Sequence, residues 1–142
     1  MNEQSLEAFY LYKFAEQGSR FPAYTPIVAG GEHACILHYV ENDQTLNDGD
    51  LVLVDAGGEY ECYASDITRT YPVNGKFSDE QLAVYKVVLE AHKQAIEAVK
   101  TGNHIMQPQE ISERVITEGL VDLGILDGKT EDLLEEGAHK KF

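Results

Sequence analysis

Apolar residues recur at helical spacing over the first part of the chain. Leu6, Phe9, Tyr10 and Phe14 fall on one stripe, with the Lys13 stem able to lie along it, which predicts a helix over Asn2 to Gln17 with Gly18 as its C-cap. Ser19 to Thr25 is a loop containing Pro22. The pattern then shortens to strand length. Pro26 to Ala29 is a short apolar strand broken by Gly30-Gly31, and Cys35 to Val40 is a second one. The polar stretch Glu41 to Asp50, ending Asn47-Asp48-Gly49-Asp50, reads as a turn. Leu51 to Asp55 is an apolar run of strand length, and Asp66 to Val73 is rich in β-branched and aromatic residues. The residues between them complete a hairpin, and Asn74-Gly75 closes it.

Past the hairpin the period becomes helical again. Ser78 with Gln81 three residues on forms a capping box that opens the longest helix, whose inward stripe is read as Leu82, Tyr85, Leu89, Ile96 and Val99, with Gly102 as its stop. Pro108 suits the first turn of a further helix with Ile111, Val115, Ile116 and Leu123 inward and Gly124 at its end. A short acidic helix, Glu131 to Glu136, follows. No internal repeat or linker interrupts the chain, so residues 1–142 read as one unit.

Composition narrows the function. The 142 residues are 43% hydrophobic, enough for a packed core, and no apolar run is long enough to span a bilayer. With 25 acidic and 11 basic residues the formal charge is −14, which argues against nucleic acid or an anionic membrane as partner. Two cysteines, Cys35 and Cys62, are too few for a disulfide framework. They and the lack of a signal-like start lead to the expectation of a reducing, cytoplasmic setting.

Asp55 is the first residue that asks for an explanation. It ends the apolar run Leu51-Val52-Leu53-Val54, and a charge on a buried strand needs a cation or several donors. A turn centred between Tyr60 and Glu61 sets Asp55 directly opposite Asp66. Opposed carboxylates on one face repel, unless one is protonated or a cation lies between them. Thr68 and Thr70 continue the same face and suit a polar cleft. Oxygen ligands favour hard or borderline divalent ions such as Mn²⁺, Mg²⁺ or Zn²⁺. Spacing alone leaves another reading open, in which Asp55 caps a turn at the strand end and Asp66 starts the next strand.

The stretch Leu51-Val52-Leu53-Val54-Asp55-Ala56-Gly57-Gly58-Glu59-Tyr60, continuing through Tyr63-Ala64-Ser65-Asp66-Ile67-Thr68-Arg69-Thr70-Tyr71-Pro72-Val73-Asn74-Gly75-Lys76-Phe77, resembles the first metal-binding segment of the Xaa-Pro aminopeptidases and prolidases. The resemblance extends upstream through Phe21-Pro22-Ala23-Tyr24 and Ile36-Leu37-His38-Tyr39, and downstream to Leu123-Gly124-Ile125-Leu126 and Ala138-His139. It implies the first half of a pita-bread domain of the α/β (α+β) class, an antiparallel curved sheet with helices packed on one face, with Asp55 chelating one of two divalent metal ions and Asp66 bridging both. Mn²⁺ is the leading expectation, with Zn²⁺ or Co²⁺ as alternatives. Such a pair of ions can activate water and polarise a scissile carbonyl. His38 resembles a catalytic histidine that hydrogen-bonds the peptide or moves protons, although a strand histidine held by a backbone carbonyl would look the same. Tyr24 is placed weakly on the substrate side.

The family's remaining ligands, a histidine and two glutamates, belong to His-Gly and Glu-Pro-Gly motifs that do not occur here. The expectation is therefore a part of a peptidase that removes an N-terminal residue preceding proline, inactive by itself. A prolidase acting on Xaa-Pro dipeptides and a non-catalytic pita-bread binding module are the alternatives. The expected partners are a proline-containing peptide for the intact enzyme and a second copy of the chain, in a homodimer covering exposed sheet surface.

Overall fold

The computed structural model describes residues 1–141, and the chain divides into two compact units, Met1–Phe77 and Ser78–Phe142. In the first, helix α1 (Glu3–Glu16) is capped by Asn2, whose side chain accepts the Ser5 N–H at 2.8 Å. Leu6, Tyr10 and Phe14 pack against a buried cluster of Val28, Leu46, Val52, Val54 and Ala56. Phe9, expected on this stripe, is 54% exposed. The buried line runs instead from Glu3 through Leu6, Tyr10 and Phe14, so a carboxylate heads the inward face.

Strands β1 (Phe21–Pro22) and β2 (Ile27–Gly30) follow, then β3 (Leu51–Ala56), β4 (Gly58–Tyr60), β5 (Tyr63–Ala64) and β6 (Ile67–Pro72). They make two three-stranded sheets, ordered β2-β3-β6 and β1-β4-β5, with every pairing antiparallel among the described residues. Strict alternation in β3 buries Val52, Val54 and Ala56 and leaves Leu51, Leu53 and Asp55 half-buried on the other face. The chain passes from β3 into β4 at Gly57, where a Cβ would lie 1.7 Å from the Ser65 carbonyl oxygen. No other residue type fits that crossing.

The strand expected over Cys35 to Val40 does not form. Gly31–Cys35 is a 3₁₀ helix, and the chain then turns through His38, whose φ is 56°. Ile36, Leu37 and Val40 face solvent, whereas Tyr39 is buried. The competing force is polar bonding to residues distant in the sequence. Tyr39 and Asn42 are drawn inward to satisfy groups on α1 and β2, which leaves the backbone between them unavailable for a ladder.

The second unit is helical. α2 (Asp79–Glu97) opens with the Ser78–Gln81 capping box, with both of its reciprocal hydrogen bonds formed. α3 (Gln107–Asp122) has Pro108 in its first turn and packs on α2. A Cβ on Gly119 would come within 2.4 Å of Val87 Cγ1, so the two helices touch almost backbone to side chain there. Small residues suit so close an approach. Ala91 and Ala98 are buried on α2, while Ile96 and Val99, expected inward, are exposed. Leu120 and Thr117 are the buried residues of α3, and Leu123, also expected inward, is more than a third exposed at its C-cap. α4 (Thr130–Glu135) and a closing 3₁₀ turn, Ala138–Lys141, complete the packing around α3 through Leu133 and Ala138.

Candidate metal centre

The hairpin that presents the two aspartates turns one residue later than expected. Its centre lies between Glu61 and Cys62, which both adopt left-handed φ of 49° and 68°. That conformation at both central positions matches the right-handed twist of the flanking strands. The Glu59 carboxylate stabilises it by accepting the Cys62 N–H at 2.6 Å. Tyr60 therefore pairs with Tyr63, and Asp55 stands opposite Thr68 rather than opposite Asp66. Asp66 sits one position before β6, diagonal to Asp55. Strand side chains alternate, so a register shift of two residues keeps the same faces together. A shift of one would have separated the pair.

The two carboxylates do meet. The Tyr24 hydroxyl lies 2.5 Å from Asp55 Oδ1 and 3.2 Å from Asp66 Oδ1, so a single O–H stands within reach of both. Burial raises the Tyr24 phenol above its ordinary value, and its hydrogen bond to Asp55 and the charges of Asp55 and Asp66 push it the same way. It stays a neutral donor. Tyr24 arrives from the loop between β1 and β2, and β2 pairs directly with β3, setting Ile27 opposite Asp55. On the other flank Ser65 pins the hairpin, its Oγ accepting the Gly58 N–H at 3.0 Å and its own N–H reaching the Gly58 carbonyl at 3.1 Å. Both aspartates are thus positioned by backbone pairing on either side of the Gly57 crossing.

These side chains fit part of a cation site. They offer hard oxygen donors on one face, already gathered around one polar atom, which is the donor chemistry that divalent ions favour. Among the described residues no group of three or more His, Cys, Asp or Glu side chains is arranged to hold a metal ion, so the pair is incomplete by itself. His38 lies on the loop between β2 and β3 and is exposed. No hydrogen bond among the described residues joins it to the aspartates. Tyr24 is the part of the site that sequence reading undervalued; its signal was the Phe21-Pro22-Ala23-Tyr24 segment, but nothing in the spacing ties a loop tyrosine to two carboxylates on another strand pair.

Comparison with known proteins identifies the family of the chain. Residues 1–139 match the model of metallopeptidase family M24. A Xaa-Pro aminopeptidase of Haemophilus influenzae is 54% identical over 140 residues, covering 99% of this chain and 33% of that protein. The solved Pseudomonas aeruginosa aminopeptidase PepP superposes with a TM-score of 0.98 at 51% identity, over 100% of this chain and 32% of that one. A zinc-substituted Escherichia coli aminopeptidase P in complex with product gives 0.96 at 45% identity, with the same shares of the two chains. The chain spans about a third of the length of the relatives it matches.

Proposed function

The chain belongs to metallopeptidase family M24, and from that premise we propose that it supplies the first two ligands, Asp55 and Asp66, of a two-metal centre in a peptidase removing the N-terminal residue before proline. The observation behind this reading is the convergence of both carboxylates on the Tyr24 hydroxyl. Two like charges are held on one face by strand pairing, and one neutral donor cannot offset both. A divalent cation can. When bound, Mn²⁺, Zn²⁺ or Co²⁺ would supply Lewis acidity toward the scissile carbonyl and lower the pKa of bound water.

The remaining work in this segment falls to the chain's own residues. Tyr24 restrains the two carboxylates by hydrogen bonding, so that one oxygen of each converges on its hydroxyl before any cation arrives. His38, exposed on its loop, would hydrogen-bond the peptide or move a proton at the imidazole. The Haemophilus influenzae and Escherichia coli relatives, each named a Xaa-Pro aminopeptidase, support this choice over a dipeptidase.

In the full-length protein, Asp55→Ala and Asp66→Ala should each abolish Mn²⁺-dependent cleavage of a Xaa-Pro peptide and reduce the bound metal. Wild-type turnover by either variant would overturn the assignment. The 142-residue chain alone should show no tight Mn²⁺ site by calorimetry, because two carboxylates lack the further ligands a catalytic centre uses.

A further inference from the structure

Glu3 is 0% exposed, although it is a carboxylate on the first turn of a helix. Its Oε1 accepts the Gly30 N–H at 2.8 Å, and its Oε2 accepts the Tyr39 hydroxyl at 2.8 Å and the Gln44 N–H at 3.0 Å. His33 stacks on the Tyr39 ring, with centroids 4.9 Å apart, and its Nδ1 lies 3.5 Å from Glu3 Oε1. One buried side chain therefore ties together the end of β2, the middle of the following loop and its far end. One turn further along α1, Glu7 accepts from Asn42 Nδ2 at 3.1 Å. The rest of the Asn42 amide is spent on Pro26 and Val28, and the residue is 2% exposed.

The loop so anchored is strained. His38 and Asn42 both hold left-handed φ, 56° and 48°, without being glycine. Such conformations persist only where the surroundings over-determine them. Tyr39, the residue next to His38, is the point at which Glu3 does so. An apolar side chain in this space would leave the Gly30 and Gln44 N–H groups and the Tyr39 hydroxyl without an acceptor. The carboxylate's advantage is direction, because each of its lone pairs fixes one donor.

We infer that Glu3 is a positioning residue for His38, acting through Tyr39 to hold the His38 backbone in its left-handed turn toward the peptide. The inference rests on the reading of His38 given above. A glutamine in place of Glu3 must set its amide N–H₂ against either the Gly30 or the Gln44 N–H, so it cannot satisfy every donor. Phenylalanine at Tyr39 removes a single hydroxyl and nothing else.

The test is a double-mutant cycle in the full-length enzyme, read as kcat and KM for a Xaa-Pro peptide with metal content measured alongside. Glu3→Gln and Tyr39→Phe should each lower kcat by about tenfold or more with the metal retained, in keeping with the cost of a misplaced reacting group. Leu6→Ala, which removes core packing from the same helix, should lower the melting temperature and leave kcat unchanged. On a His38→Ala background, Glu3→Gln and Tyr39→Phe should cost nothing further, because the group they position is gone. Losses that multiply in the double variants, or an unchanged kcat in Tyr39→Phe, overturn the inference while leaving the His38 assignment intact. An unaffected His38→Ala would instead sink the role of His38, and this inference with it. If Glu3→Gln does not fold, the Tyr39→Phe arm decides.

Discussion

The two units of this chain bury polar groups in opposite ways. In Met1–Phe77 the buried polar residues reach across the sequence: Glu3 bonds residues near positions 30 and 40, and Asn42 reaches Pro26, Val28 and Glu7. In Ser78–Phe142, among the described residues, the buried Thr117 bonds its own helix, donating to the Glu113 carbonyl at 2.7 Å. The charges of that unit lie outside, as in the pair Arg114–Glu131 at 2.7 Å. The His139 ring is nearly enclosed, with Nε2 3.7 Å from a Glu113 carboxylate oxygen. The first unit is thus specified by directional bonds and the second by shape. The aspartate pair lies in the directional unit, where hydrogen bonding likewise fixes Tyr24 against Asp55 and Asp66.

The largest test of this contrast is Gly57→Ala. The new methyl would meet the Ser65 carbonyl oxygen, which is backbone and cannot step aside, so the variant should lose more than about 4 kcal/mol and unfold the first unit. Retention of a native hydrogen-exchange pattern in the hairpin would count against it.

Gly119→Ala probes the second unit by the same means. There the obstacle is the Val87 side chain, so the cost should be about 1–3 kcal/mol in a denaturant titration. Adding Val87→Ala should recover part of it. No companion substitution of a side chain should rescue Gly57→Ala.

Acid should separate the units next. Burial pushes the Glu3 carboxyl up, but the N–H groups of Gly30 and Gln44, with Tyr39 and His33, outweigh it and hold the group below its ordinary 4.5. Its contribution is therefore complete above that value and is lost as pH falls through the depressed folded value. Tyr39 sets the opposite limit: burial and the bond to Glu3 push its phenol up to about 12, so its share is complete below pH 10 and is lost as pH rises toward 12. Exchange-detected stability of the first unit should fall at both ends. Glu3→Gln should flatten the acid limb, and an unaltered limb would show that other carboxylates govern it.

The smallest effect should come from Arg114→Ala. Its pairs with Glu131 and Glu118 are solvent-exposed and screened, so the melting temperature should move no more than replicate scatter.

Much of this was readable in advance, and the failures share a cause. The capping box at Ser78, the proline-led helix and the hairpin strands are encoded locally, by neighbours within a few residues. The pairing of Asp55 with Asp66 survived an error in register because strand faces alternate. Glu3 could not be recognised, since a glutamate at a helix start reads as a solvated residue favourable to the dipole. Its partners lie far along the chain. The strand predicted over Cys35 to Val40 failed for the same reason: its apolar alternation was outweighed by distant hydrogen bonds to Tyr39 and Asn42. Ile96 and Val99 misled because hydrophobicity marks candidates for burial, whereas the closeness of α2 and α3 at Gly119 selects for small size.

The Gly58–Ser65 clasp has an engineering consequence. It closes the hairpin between the aspartates and the tip, so that Glu61 and Cys62 form an outer loop whose length does not enter the spacing of Asp55 and Asp66. Extra residues inserted between Glu61 and Cys62 would extend into solvent from an already exposed turn, while the clasp holds the ladder beneath. A short peptide label or an affinity epitope grafted there should be tolerated. The same addition between Gly57 and Gly58 would dismantle the crossing.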